Sequence, residues 1–295
     1  MFRVRRLLAP FVLCIALLFS EAQAFTIAWL SDTQNYHNAY KPIFDGMTQW
    51  IADNRAPLDI RFVFHTGDVV GSWRSEDQWR QARESMDILS SASIPFLAAC
   101  GNHDIGYRMN YANFLKYVLS LRPASMSQEY GDTGSRYELF SANGRDYIFM
   151  GIAFSNKGPS EDEVNWINGV LRQYSSRDAI IITHSYLKKS AAYTTQGKAI
   201  FEKIVKANPN VFLVLCGHCR DISYKNVQLD DDGDGNPDRT VYAILSNFQG
   251  GKAGGGGYMR ILDFRDSDIY IYTYSPYYDS CEYPKGKTEA TVPLP

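Results

Sequence analysis

Five short segments of this chain carry residue types that hold divalent metals: Asp32-Thr33-Gln34, Gly67-Asp68, Gly101-Asn102-His103-Asp104, His184 and Gly217-His218. Carboxylate, amide oxygen and imidazole together suit divalent transition ions, and a shared aspartate can bridge two of them. A single histidine of this kind is more often a packed or surface residue. Five such segments in chain order are hard to dismiss as coincidence and point to a metal centre.

Each segment follows an apolar run rich in β-branched and aromatic residues. Phe25 to Leu30, Ile60 to Phe64, Ile94 to Ala99, Ile180 to Thr183 and Val211 to Leu215 read as strands. Between them lie stretches of helical period. Residues 42–54 begin at Pro42 and place Ile43, Phe44, Met47, Trp50 and Ile51 on one face. Ser75 with Gln78, and Ser160 with Glu163, are capping boxes that open two further helices, the second running to Tyr174. Helices are also expected near 110–121 and 197–207, the latter stopped by Pro209. Asn143-Gly144 marks a hairpin between Arg136–Phe140 and Tyr147–Phe154. From residue 225 the pattern is all-β, with strands at Val241–Leu245, Tyr258–Phe264 and Ile269–Tyr274. No Pro-, Ser- or charge-rich linker interrupts this, so a single α/β domain spanning 25–295 is expected. Ligand residues at strand ends agree with where open α/β sheets bind.

The order and spacing of the five segments resemble the calcineurin-like metallophosphoesterases, whose pattern is Asp-x-His, Gly-Asp, Gly-Asn-His-Asp or Glu, a later His, and Gly-His-x-His. The resemblance covers Phe25 to about residue 225. It extends to Asn247-Phe248-Gln249 and the run from Tyr258 to Pro276, which look similar to exported members with an Asp-Thr-Gln first motif. It implies a layered α/β/β/α sandwich and hydrolysis of a small phosphate ester. It also implies that Asp68 bridges two metals while Asn102, His184 and His218 complete the second site. Asp32 and position 34 would serve the first. His103 resembles the family's general acid for the leaving alkoxide, and Asp104 would orient its imidazole.

Two ligand positions depart from the family. The usual His of the first motif is Gln34 here, and the last His of Gly-His-x-His is Cys219. Gln34 offers a neutral amide oxygen, which suits a harder ion, whereas a Cys219 thiolate adds charge and favours a softer one such as zinc or ferrous iron. The implied cofactor is therefore one or two divalent ions, zinc, manganese or iron, with an altered first site. His37 is read as a solvated loop residue and His65 as a strand-end packing residue. Arg220 is open between a phosphate contact and a surface role. Monoester, diester and nucleotide substrates share such a core and are not distinguished.

Composition excludes several partners. The chain has 30 Lys+Arg against 32 Asp+Glu, and a net charge of −2 advertises neither a nucleic-acid backbone nor an anionic membrane. Arg3, Arg5 and Arg6, the apolar run Leu7–Phe19 and Ala22-Gln23-Ala24 read as a signal peptide, residues 1–24, cleaved near Ala24. That run is shorter than the roughly 20 residues of a membrane span. The expected mature protein is exported, periplasmic or secreted, without a membrane anchor, and its four cysteines are too sparse for a disulfide scaffold.

Other signals compete. Cys216-Gly217-His218-Cys219 is a Cys-x-x-Cys, the spacing of an exported disulfide oxidoreductase, but no helical stripe follows it. A non-catalytic metal- or phosphate-binding protein is a third reading, opposed by the retained His103. Asp230-Asp231-Asp232-Gly233-Asp234-Gly235, with Asp238, resembles the start of a calcium loop, yet it joins strands and lacks the distal Glu, so an acidic turn is favoured. Gly254 to Gly257 reads as a flexible hairpin rim near the substrate.

Overall fold

The computed structural model describes residues 24–121, 128–284, 286 and 288–295. The signal-peptide reading of residues 1–24 therefore lies, Ala24 apart, outside the described residues. The first half of the chain gives β1 (Phe25–Leu30), α1 (Lys41–Asp53), β2 (Ile60–His65), α2 (Glu76–Ser91), β3 (Phe96–Ala98), α3 (Asn102–Ile105), α4 (Ala112–Tyr117), β4 (Gln128–Tyr130), β5 (Ser135–Ala142) and β6 (Arg145–Ile152). The second gives α5 (Glu161–Gln173), β7 (Asp178–Thr183), α6 (Thr195–Ile200), β8 (Val211–Cys216), β9 (Asp221–Leu229), β10 (Arg239–Asn247), β11 (Met259–Phe264), β12 (Asp268–Tyr274) and β13 (Ala290–Pro293).

These strands form two sheets, ordered β13-β12-β11-β1-β2-β3 and β4-β5-β6-β7-β8-β10-β9. In each sheet the strands that carry site segments run parallel side by side: β1, β2 and β3 in one, β7 and β8 in the other. Their C-terminal ends therefore open on the same edge. Alternation assigns the layers. Along β1, Ile27 and Trp29 face the second sheet, joining Phe62, Phe64 and Phe149 in the inter-sheet core. Ala28 and Leu30 face the other way, against α1 and α2, where Phe44, Met47 and Trp79 pack. A third core lies between the second sheet and α5 and α6, around Ile167, Leu171 and Ile204. The result is the expected α/β/β/α sandwich in one domain.

Local signals act as their chemistry requires. Ser75 accepts from the Gln78 amide and Ser160 from the Glu163 amide, capping α2 and α5. Asn143 and Gly144 both take positive φ, 54° and 72°, the geometry of a tight two-residue hairpin. Three details differ from expectation. The helix expected over 110–121 is broken into α4 and a 3₁₀ turn at Leu119–Leu121, and α6 passes into a π turn at Phe201–Val205. The glycine-rich stretch is a packed turn rather than a free rim, because the Gly257 amide donates to the Tyr36 hydroxyl at 2.9 Å. β9, β4 and β13 are additional strands on or near sheet edges, where partly exposed faces weaken the alternation that marks a strand.

Candidate metal centre

The site begins with backbone, not side chains. Asp32, Asp68 and His218 each leave a strand end through a left-handed residue, φ 51°, 53° and 70°. That conformation is costly for residues with a Cβ and is concentrated at functional loops. It turns each side chain inward across the sheet edge. Two glycines make room. A Cβ on Gly101 would sit 2.1 Å from Asp68 Oδ1, and one on Gly217 would sit 2.3 Å from Asp32 Oδ2. The glycines of the Gly-Asn-His-Asp and Gly-His segments are thus required by the aspartates of the other two.

Four donors converge. His184 is fully buried, and its Nδ1–H donates to the Thr66 carbonyl at 2.8 Å, leaving the Nε2 edge to face the site. That nitrogen lies 3.1 Å from Asn102 Oδ1, 3.3 Å from Asp68 Oδ2 and 3.1 Å from His218 Nδ1. The ligand atoms of Asp68, His184 and His218 all fall within 4.8 Å of one another. Without a cation, so many lone pairs are reconciled only by a proton. Burial disfavours the charged imidazole, but the Asp68 carboxylate overrides it and holds His184 up at about 9, while Asp68, opposed by its own burial, is drawn down by His184. His218, half-buried and beside that charge, is pushed down to about 4, by its partial burial first and then by His184.

The residues expected at a first site stand apart from this group. Burial, reinforced by Asp68 and opposed by His184, raises Asp32 to about 7. A chain of hydrogen bonds fixes it from the core: Trp29 Nε1 donates to Thr66 Oγ1, Thr66 donates to Ser31 Oγ, and Ser31 donates to Asp32. The His218 amide also donates to Asp32, at 3.2 Å. Gln34 reaches the bridge position, its Nε2 donating to Asp68 Oδ2 at 3.1 Å, and its Oε1 is buried with no partner. An orphaned amide oxygen beside Asp68 fits a cation that the neighbouring donors would share. Cys219 is half-buried against the core beneath the second sheet; burial and then Asp32 raise its thiol. Among the described residues, Asp32 and Cys219 fall outside the compact donor group.

The general-acid position needs one correction. His103 is exposed, and its Nδ1–H donates to the Gly71 carbonyl at 2.9 Å, so Gly71 rather than Asp104 orients the ring. Asp104 is fully buried; it accepts from the Gly101 amide at 2.8 Å and the Val70 amide at 3.1 Å, tying two site loops together. The adjacent position in a one-turn helix points the carboxylate away from the His103 ring. His65 is a packing residue, as expected: it accepts from the Gly67 amide at Nδ1, donates from Nε2 toward Thr33 Oγ1, and burial drives it down to about 3.

A cleft of about 360 Å³ lies over these groups, lined among others by Gln34, Asp68, Asn102, His103, His218 and Arg220. Gln249 and Asn247 were given no role from sequence. Gln249 lines the cleft and reaches toward Asp32 at 3.5 Å, and Asn247 Nδ2 donates to the His218 carbonyl at 3.1 Å. The segment that carries them resembles the family by sequence, and it braces the backbone at His218 and approaches Asp32.

The sequence profile described as calcineurin-like phosphoesterase matches residues 25–219. The chain belongs to this family. A curated relative, the uncharacterized protein YvnB of Bacillus subtilis strain 168, is 41% identical over 259 residues, covering 86% of this chain; the chain spans about a fifth of that protein, 20% of its length. The fold is similar to a dimetal phosphatase from Danio rerio, TM-score 0.61 at 13% identity, covering 91% of this chain and 98% of that one. It is also similar to the purple acid phosphatase PPD1 of yellow lupin, TM-score 0.56 at 13% identity, covering 92% and 55% respectively. The Plasmodium protein GAP50, described as the anchor in the inner membrane complex, shares the fold at TM-score 0.59 and 14% identity over 92% of this chain and 89% of its own.

The competing readings fare differently in this phosphoesterase. Cys216 is fully buried at the end of β8, burial pushes its thiol up to about 12, and a strand follows, so a disulfide-exchange site is not built. All four described cysteines are free. Asp230, Asp232 and Asp238 do cluster, but they are exposed and accept from the loop's own amides, Asp230 from Gly233 and Gly235, Asp232 from Asp234 and Asp238 from Asp231, as an acidic turn does. Among the described residues no helix is long and apolar enough to cross a membrane.

Proposed function

We propose that the chain hydrolyses small phosphate esters, monoester or diester, at a centre held by Asp68, Asn102, His184 and His218, with Asp32, Gln34 and Cys219 forming an altered first site. The convergence of Asp68 Oδ2, Asn102 Oδ1 and two imidazole nitrogens on one point carries this reading. Zinc, manganese or iron suits that donor set. Such an ion, when bound, lowers the pKa of coordinated water toward about 7 and neutralises phosphoryl charge. The residues do the rest. His184 is held in one tautomer by the Thr66 carbonyl, presenting Nε2, and Asp68 lies between Gln34 and His184 as a shared carboxylate. His103, with Nδ1 engaged by Gly71, has Nε2 free at the cleft to protonate the leaving alkoxide. Arg220 on the cleft wall is placed to meet a phosphoryl oxygen.

Residues 1–24 act, in the same proposal, as an export signal, and residues 25–295 as the folded unit, periplasmic or secreted. The test reconstitutes metal-stripped protein with zinc, manganese and iron in turn and assays 4-nitrophenyl phosphate and bis(4-nitrophenyl) phosphate. Metal-restored hydrolysis of either is expected, and His103→Ala should slow it by about 10² to 10⁴, less for better leaving groups. Failure of every metal on both esters overturns the proposal.

A further inference from the structure

Two loops run outward together from the general-acid wall. His103 is bonded to Gly71, and farther out Trp73 packs so closely on Gly106 that a Cβ there would lie 2.1 Å from Trp73 Nε1. Beyond that contact the loops end in a stack. The Arg74 guanidinium lies over the Trp73 ring at 4.8 Å and over Tyr107 at 5.9 Å, and Arg108 lies over Tyr107 at 5.6 Å. Arg74 also donates to the Tyr107 hydroxyl at 3.3 Å. Tyr107 is 72% exposed, the most exposed large hydrophobic side chain described. Among the described residues neither arginine has a carboxylate partner, in a chain that carries an excess of acid.

Two guanidiniums without a carboxylate partner, held against one exposed aromatic ring, present N–H donors to solvent on the loops that run out from His103 and Gly71, and His103 is the group that protonates the leaving alcohol in the proposed reaction. The His103 side receives the leaving group, not the transferred phosphoryl. We infer that Arg74, Tyr107 and Arg108 form a leaving-group subsite for an anionic alcohol, so that the preferred substrate carries a second phosphate on the group that departs. A neutral leaving group offers this stack nothing that an arginine pair would improve. The planar rings accept a base or other flat moiety alongside the charge. This inference rests on the phosphoesterase reading and goes beyond it in naming the substrate class.

The test compares adenosine 3′,5′-bisphosphate with adenosine 5′- and 3′-monophosphates, because either scission of the bisphosphate releases an alcohol that still bears a phosphate. The wild-type, metal-reconstituted protein should favour the bisphosphate in kcat/KM by about tenfold or more, and the preference should shrink with added salt. Arg74→Ala and Arg108→Ala should each lower that ratio by about threefold to tenfold, with Arg108→Lys restoring part of it. Lys225→Ala, a remote cation over Tyr193, should leave the ratio unchanged. Equal ratios in wild type and both arginine variants overturn the subsite. Calorimetric binding of the same three nucleotides separates the two levels of reasoning: a bisphosphate preference that the arginine variants abolish, in protein that hydrolyses none of them, retains the subsite and overturns the hydrolase reading. Absence of any preference in binding and in turnover overturns the subsite alone.

Discussion

Replacing Gly101 by alanine isolates one steric contact at the heart of the site. The backbone at Gly101 has φ −104°, which any residue adopts, so the substitution adds no conformational strain of its own. What it adds is a Cβ at 2.1 Å from Asp68 Oδ1 and 2.4 Å from the Asp68 amide nitrogen. Real Cβ contacts under 3.0 Å essentially do not occur, so the carboxylate must retreat by about 1 Å. Asp68 faces Gln34 on one side and His184 on the other, so the retreat separates donors that now share one point. A displacement of about 1 Å in a catalytic constellation costs about 10²-fold in rate, and the overpacking itself about 1–3 kcal/mol of stability. The assay is kcat/KM on 4-nitrophenyl phosphate with metal content by mass spectrometry and thermal unfolding on the same preparations. Gly46→Ala is the matched control: Gly46 lies in α1 with nothing within 4 Å of an added Cβ, and it should stabilise by about 0.5–1 kcal/mol with activity retained. Gly101→Ala protein with wild-type metal stoichiometry and rate would refute the argument that glycine there exists to admit Asp68.

Asp68→Asn should lose bound metal and at least about 10²-fold in activity, whereas Gln34→Ala should lose less, because only the aspartate faces both donor groups; equal metal content in wild type and the Asp68 variant would remove the bridge. In the metal-free protein His184 is held at about 9 and Asp32 at about 7, so a cation binding here displaces the His184 proton below pH 9 and also the Asp32 proton below pH 7. Affinity should therefore rise about tenfold per pH unit from 7 to 9 and more steeply below 7, with proton release counted by calorimetry in buffers of different ionisation enthalpy; no release at pH 8 contradicts this. If Cys219 sulfur is a ligand, metal should protect it from alkylation, read peptide by peptide since Cys281 is exposed, and Cys219→His should retain or raise hydrolysis; labelling of Cys219 that ignores metal excludes sulfur ligation.

The chain's own residues determined the elements and the chemistry type. Apolar runs of period two and stripes of period 3.6 are local facts, and they placed β1, β2, α1, α5, β7 and β8, and the start of α2, to within a residue or two. The capping pairs Ser75–Gln78 and Ser160–Glu163 and the Asn143-Gly144 turn act over four residues or fewer, so they too were legible. The candidate metal donors were legible as types because each follows a buried strand. What no local pattern encodes is which atoms meet. His184 and Asn102 are 82 positions apart, and Asp32 and His218 are 186 apart; only the parallel alignment of strand ends within each sheet, and the stacking of the two sheets, brings them together. The role of Asp104 shows the limit. The resemblance implied that it orients His103, but consecutive residues on a helical turn diverge, and the tertiary fold gives that task to the carbonyl of Gly71, 32 positions away. The bracing of Asp32 through Trp29, Thr66 and Ser31, and the approach of Gln249 from beyond β10, were decided in the same way, by packing between segments that the chain keeps far apart.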